Sequence, residues 1–206
     1  MLQKKEPKVF IVRHGHTKLN GTSDTSVDRI RGWIDVPLND HGREDAEDAR
    51  KKLKGEHPSK IYTSDLCRAV ETAEIVNKDF HVPITKDKNL RPWNLGVLCG
   101  RITSEVQDQM DNMVKHDNIV PKKGESFKAF HLRYLKELKK IMDEAIKYEC
   151  TIFVFCHLRN LKTYEGWKDN GFPDDFSINA NSMIKNLEKP GEVVEIDLKE
   201  YQNRKK

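Results

Sequence analysis

Two short apolar runs constrain this chain more than anything else in it: Val9-Phe-Ile-Val12, entered from Lys8, and Thr151-Ile-Phe-Val-Phe-Cys156. Runs of this length, rich in β-branched and aromatic residues, read as strands buried on both faces, and such strands need helices above and below them. The first is expected to be the first and central strand of a sheet. Each run also ends in the same kind of chemistry. Arg13-His14-Gly15-His16-Thr17 follows one, and His157-Leu158-Arg159-Asn160 follows the other.

The intervening pattern supplies the helices. Residues Asp40 to Lys54 place Ala46, Ala49 and Leu53 on one stripe, with Asp40 as the expected N-cap. Ser59 to Thr63 reads as a short strand. Ser64 or Asp65 is expected to cap the next helix, where Leu66, Ala69, Val70, Ala73 and Val76 repeat at helical spacing. Ser126 to Tyr148 is the longest helix, its stripe running Phe127, Phe130, Tyr134, Leu138, Ile141, Ala145 and Tyr148. Strand, helix, strand, helix order argues for an α/β sheet layered between helices. Leu90 to Gly96 reads as irregular and Thr103 to His116 as a polar helical stretch, so residues 90–125 are assigned to loops and a small cap. Ser182–Leu187 and Glu192–Leu198 read as a terminal hairpin across Lys189-Pro-Gly191, with Asn203–Lys206 a solvated tail. At 206 residues the chain fits a single domain.

Charge narrows the partners. Thirty-seven Lys and Arg stand against 33 Asp and Glu, interspersed along the chain, so no polybasic stripe points to nucleic acid or membrane. No apolar stretch approaches the roughly 18 to 20 residues that span a bilayer, and the first residues lack a signal-peptide core, so a soluble, cytoplasmic protein is expected. Cys67, Cys99, Cys150 and Cys156 show neither a Cys-x-x-Cys pair nor zinc-like spacing, which favours reduced thiols over a metal site.

In an open α/β sheet, ligands bind beyond the carboxyl ends of the strands, where loops diverge and helix N-termini offer N–H groups. Three strand ends would bring His14, Arg13, Arg68 and His157 together, with Asn20 and Arg159 nearby. Guanidinium groups bind phosphoryl oxygens and place fixed positive charge where a phosphoryl-transfer transition state is negative. Cations and burial both disfavour protonation of His14, so a ring nitrogen stays available to attack phosphorus, and a backbone carbonyl such as that of Gly15 would fix its tautomer.

Val12-Arg13-His14-Gly15-His16-Thr17 with Asn20 resembles the opening signature of the histidine phosphatase superfamily, in its phosphoglycerate-mutase-like branch. Further segments match in order: Arg29-Ile-Arg-Gly32-Trp33-Ile-Asp35-Val-Pro37-Leu38, then Tyr62-Thr63-Ser64-Asp65-Leu66-Cys67-Arg68-Ala69, then Gly124-Glu125-Ser126, His157 and Asn181-Ser182. The resemblance implies a three-layer α/β/α sandwich with a mostly parallel central sheet. It also implies a phosphohistidine intermediate at His14, a phosphoryl group held by Arg13, Arg68 and His157, a polar contact from Asn20 and a backbone donor at Leu158. The scheme calls for no metal and no cofactor. A small-molecule phosphate ester is the expected substrate, with a phosphoprotein left open.

Two departures stand out. After Leu90-Arg91 the family pattern usually has a glutamate that protonates the leaving oxygen, and here Pro92 stands in its place. Leu158 replaces the glycine common after the second histidine. Candidate substitutes for the acid are Glu125, Asp24, Asp28 and Glu105. The leading reading is a metal-independent phosphomonoesterase. The alternatives are a phosphoglycerate-type mutase and a catalytically weak protein that binds a phosphorylated ligand.

Overall fold

The computed structural model describes residues 6–21, 27–184 and 189–204. Five strands form one sheet: β1 (Lys8–Arg13), β2 (Pro58–Thr63), β3 (Ile84–Lys86), β4 (Thr151–Cys156) and β5 (Val193–Glu195), in the order β3-β2-β4-β1-β5. All neighbours are parallel except β1 and β5, which run antiparallel. The middle strand is therefore β4, not β1. The more continuous apolar run takes the middle of the sheet, and β1 lies between it and the short edge strand β5.

The alternation within β1 divides the core. Phe10 and Val12 pack with Phe153 and Phe155 of β4 under α1 (Asp40–Leu53) and α2 (Cys67–Val76), through Ala49, Leu53, Ala73 and Val76. Val9 and Ile11 face the opposite way with Ile152 and Val154. That face is covered by α3 (Thr103–Lys115), α4 (Phe127–Tyr148), α5 (Leu158–Asp169) and α6 (Leu198–Asn203). The result is the three-layer α/β/α arrangement. Residues 88–98 contribute two 3-10 turns, and α3 then sends Val106, Met110 and Met113 into the same core as α4.

Several local expectations shift. The N-cap of α1 is Asn39, whose side chain accepts from Gly42 N, and Asp40 is the first helical residue. Neither Ser64 nor Asp65 caps α2: Leu66 holds that position without a side-chain bond, while Asp65 is drawn into a two-pronged pair with Arg91 at 2.6 and 2.7 Å. Ser126 caps α4 by accepting from Ala129 N, and Tyr148, at 63% exposure, lies off its buried stripe. The terminal hairpin does not form as expected. Residues Ala180–Ile184 are a 3-10 turn, β5 pairs with β1, and residues 185–188 lie outside the described set. Leu198–Asn203 is a helix rather than the end of a strand and the start of a tail. No helix among the described residues is long and apolar enough to cross a membrane.

Candidate active site

Because β1, β2 and β4 are parallel, their carboxyl ends share one edge of the sheet. Arg13 and Cys156 are register partners, so His14 and His157 follow one another onto that edge, and His14 N donates to Cys156 O at 3.0 Å. Ser64 N donates to Phe155 O at 2.9 Å, which brings the start of α2 and Arg68 alongside. The imidazoles of His14 and His157 meet edge to face, with ring centroids 5.0 Å apart. Both residues are buried, at 2% and 3% exposure.

His14 is oriented from two sides. Its Nδ1 lies 2.6 Å from Gly15 O. A carbonyl can only accept, so Nδ1 carries the proton and Nε2 presents its lone pair. Arg68 Nε donates to that Nε2 at 3.3 Å. The other Arg68 nitrogens donate to Ile34 O and Gly32 O, both at 2.9 Å. Three of five guanidinium N–H groups are thus engaged by protein, leaving two for an anion. Burial first, then the charges of Arg68, Arg31 and Arg13, hold the His14 pKa well below the ordinary imidazole value. Burial, followed by Arg68, His14, Arg31 and Arg13, does the same to His157. Both rings are therefore neutral at pH 7.

The loop carrying His14 is packed backbone against backbone. A Cβ on Gly15 would come within 2.1 Å of Gly42 O, so only glycine admits the first turn of α1 at this distance. Thr72 Oγ1 accepts from Gly15 N at 3.3 Å and donates to Arg68 O at 2.7 Å, linking the His14 loop to α2. His16 does not join the site, since its Nδ1 and backbone N both contact Asp45 Oδ2 on α1.

His157 is the N-cap residue of α5, so the helix N-terminus, beginning at Leu158, opens on the same place. Neither ring nitrogen of His157 has a hydrogen-bond partner among the described residues. A buried polar group costs about 1 to 3 kcal/mol when left unsatisfied, and the cavity that His157 lines gives a hydrogen-bonding ligand access to it. Neutral imidazoles, a guanidinium and a helix N-terminus converge as a tetrahedral anion requires.

These groups open into a cavity of about 580 Å³ whose wall includes His14, Arg68, His157, Leu158 and Arg159. Other expected residues are elsewhere. Asn20 is not in the wall: its side-chain oxygen accepts from Thr17 N and Thr17 Oγ1, holding the turn beyond the histidine loop. Arg13 is buried and also outside the wall, but its charge acts on both imidazoles. Trp93 lines the cavity, whereas Trp33 stacks on Arg91, 4.6 Å from the ring centre, and donates Nε1–H to Pro92 O.

Of the three candidate acids among the described residues, only Asp28 reaches the cavity wall. Its oxygens accept from Arg31 Nη1, at 3.2 Å, and from Thr103 Oγ1, so it stands as a charge partner. Glu125 is held away from the cavity by Arg133 Nη2 at 2.6 Å and Asn94 N at 3.0 Å. Glu105, in the first turn of α3, pairs with Arg101 just before the helix, and both are exposed. Asp24 lies outside the described residues. Pro92 itself lines the cavity, an apolar ring where the resemblance implies a proton donor. Sequence reasoning gave no role to Arg31 or Lys162, which also line the wall. The signal for Arg31 was its place directly before Gly32 in a matching segment. Lys162 had none beyond falling one helical turn after Leu158. No group of three or more His, Cys, Asp or Glu residues suited to a metal ion occurs among the described residues.

Comparison with known proteins supplies the family and the fold. Phosphoglycerate mutase-like protein 4 of Arabidopsis thaliana is 32% identical over 145 residues, covering 66% of this chain and 61% of that protein. A 2,3-bisphosphoglycerate-dependent phosphoglycerate mutase of Corynebacterium kroppenstedtii is 31% identical over 110 residues, 51% of this chain and 42% of its own. The chain thus spans about half the length of the curated relatives it matches. Among solved structures, a mycobacterial glucosyl-3-phosphoglycerate phosphatase in complex with VO3 superposes with a TM-score of 0.72 at 20% identity, covering 92% of both chains. The protein TTHB049 from Thermus thermophilus gives 0.66 at 23% identity over 92% of this chain and 93% of its own. The model of the histidine phosphatase superfamily, branch 1, matches residues 9–174, and the chain belongs to that superfamily.

Proposed function

We propose that this protein is a phosphomonoesterase working through a phosphohistidine at His14. The observation that carries the reading is the His14 ring itself: tautomer set by Gly15 O, Nε2 lone pair accepting a long 3.3 Å bond from Arg68 Nε that it gives up on attack, and the unpartnered His157 facing it. In the first step Nε2 attacks phosphorus, a P–N bond forms, the P–O ester bond breaks, and the oxygen leaves with its electron pair. Arg68 and His157 hold the phosphoryl oxygens, and the backbone N–H groups at the start of α5 receive charge as it builds. In the second step water attacks phosphorus, the P–N bond breaks, inorganic phosphate departs, and Nε2 regains its lone pair. The arginines supply the positive charge, so the scheme runs without a metal ion.

Rapid quenching during turnover should trap an acid-labile phosphohistidine at His14, and His14→Ala should abolish phosphate release while retaining the wild-type circular dichroism spectrum. Undiminished release by that variant would remove the mechanism. Isomerised phosphoglycerate as product, instead of free phosphate, would favour a mutase as named among the relatives; a stable complex without transfer would leave a binding protein.

Pro92 adds a second expectation. General acid catalysis contributes roughly two to four powers of ten, and a proline ring has no proton to give. Leaving groups that need no protonation should therefore be preferred: aryl and acyl phosphates over alkyl and sugar phosphates. Equal turnover of p-nitrophenyl phosphate and a simple alkyl phosphate, with chemistry rate-limiting, would contradict it.

A further inference from the structure

The sequence has no long basic stripe, but the fold places a short one beside exposed apolar side chains. Of the five large hydrophobic residues exposed among the described residues, three fall at one corner: Val97 at 51%, Ile119 at 41% and Val120 at 60%. Single exposed aliphatics are ordinary on a protein surface, whereas a group of them marks a contact. Backbone bonds gather this group. Val97 N donates to Lys122 O at 3.0 Å, which seats the 3-10 turn Gly96–Leu98 against the loop between α3 and α4. Ile119 N donates to His116 O at 2.9 Å, and Pro121 is buried beneath the loop.

The apex of the loop is a tight turn. Gly124 N donates to Pro121 O at 2.8 Å, which leaves Lys122 and Lys123 at its centre, both exposed. Lys123 has φ +61°, a left-handed conformation that glycine adopts without steric cost and a lysine does not. The backbone alone would be better served by glycine, so this side chain is kept against the preference of the turn. Charge at the apex is unbalanced too. Surface lysines elsewhere face carboxylates, as Lys8 faces Glu56, Lys51 faces Asp48 and Lys78 faces Glu47. Lys122 and Lys123 make no ion pair among the described residues, and Glu125, next along the chain, is closed by Arg133. Farther in, Lys115 and Lys128 share a cavity wall with Asp117 and Asp175, which offset them.

Two cations and three aliphatic side chains thus stand on a projecting turn. None of the five lines the active-site cavity or the neighbouring one around His131, so the corner offers no hollow for a peptide side chain. A lipid interface deforms around a projecting turn, accepts aliphatic side chains at its acyl boundary and presents anionic headgroups to lysines. We propose that the corner formed by Val97, Ile119, Val120, Lys122 and Lys123 docks on an anionic lipid surface. The attachment is peripheral, by a turn rather than a spanning helix, and it stands independently of the phosphomonoesterase reading. Lys115, at the end of α3 from which the loop departs, also lines the active-site cavity, so a docked molecule holds that cavity near the surface.

The test is flotation at low salt with vesicles of phosphatidylcholine alone and of phosphatidylcholine mixed with phosphatidylserine. The wild-type protein should bind the anionic vesicles about tenfold more tightly than the neutral ones. Replacing both lysines, Lys122→Gln with Lys123→Gln, should lower the anionic partition coefficient about twentyfold, at about fivefold for each lysine near a charged surface. Val120→Ser should lower it severalfold by removing apolar insertion. Lys123→Gly separates docking from folding: it should raise the urea midpoint, because glycine suits the turn, while weakening vesicle binding about fivefold. Equal recovery with neutral and anionic vesicles, none with either included, would overturn the proposal, and so would an affinity that the double lysine variant leaves unchanged. An acidic protein segment is the competing occupant. Binding of a polyglutamate peptide without any vesicle binding would assign the corner to such a partner and overturn the lipid surface.

Discussion

At the scale of single residues, the active-site histidines link catalysis to stability through protonation. Burial and the nearby arginines lower the pKa of both His14 and His157. Burial lowers that of His131 too, where Asp117, Asp175 and Lys128 are the facing charges. A group whose folded pKa is depressed binds its proton more readily in the unfolded chain. Stability therefore rises with pH across the window below the unfolded value of about 6.5, is fully present above it, and is lost as the pH falls. In urea titrations without phosphate, each such histidine should cost about 0.7 kcal/mol per pH unit at pH 6.5, steepening toward about 1.4 kcal/mol per pH unit near pH 5.5 while the folded ring stays neutral. His157→Gln should have a shallower slope between pH 5 and 6.5 than the wild-type protein. Identical slopes would show that His157 is not held neutral by the fold. The meeting of His14 and His157 was legible in the sequence because each follows an apolar strand. The roles of Arg31 and Asn20 were not, because each depends on where a loop returns: Arg31 to the cavity wall and Asn20 to its own turn.

At the scale of elements, the segment that carries Pro92 is held by one arginine of α4. Arg133 Nη1 donates to Lys88 O, Asn89 O and Arg91 O, while Nη2 donates to Pro92 O and Glu125 Oε1. Asn160 Nδ2 reaches Leu90 O from α5. The irregular stretch is thus fixed by side chains rather than by a backbone ladder, which is why periodicity failed to describe it. The same network explains why Glu125 is not available as the acid, since its carboxylate closes the Arg133 cluster at 19% exposure. Glu125→Gln should keep the alkaline limb of the pH–rate profile, because no reacting proton is removed with it. Arg133→Met should destabilise the protein by about 2 to 3 kcal/mol in chemical denaturation, near the lower end for breaking a largely buried pair, since Glu125 keeps its charge. A profile that loses its alkaline limb in Glu125→Gln would restore Glu125 as proton donor. Helix and strand identities were legible from apolar spacing. The helix ends moved because caps are decided by competing partners, as when Arg91 takes Asp65 away from α2.

At the scale of the molecule, the fold sets residues from opposite ends of the chain side by side, and that followed from two apolar strands with matching endings. What the pattern did not carry was β5. Three residues pairing antiparallel with β1 make too short a signal, and the described part of the expected hairpin partner, residues 182–184, lies in a 3-10 turn. The same global arrangement concentrates charge. The chain as a whole carries a formal charge of only +4, with both signs mixed over the surface, while the cavity alone holds six basic against two acidic side chains among the described residues. A field focused in a cleft, not a charged exterior, must then draw an anionic substrate in. Raising ionic strength from 20 to 500 mM shortens the screening length from roughly 20 Å to about 4 Å. It should raise KM for an aryl phosphate several-fold, while kcat changes little because the charges that stabilise the reacting phosphoryl group are buried and poorly screened. The expected signature is a KM that climbs with sodium chloride at constant kcat, read from initial rates at a fixed pH above the second phosphate ionisation. A kcat that falls in step with salt at constant KM would place the catalytic arginines in contact with solvent, which their burial does not allow.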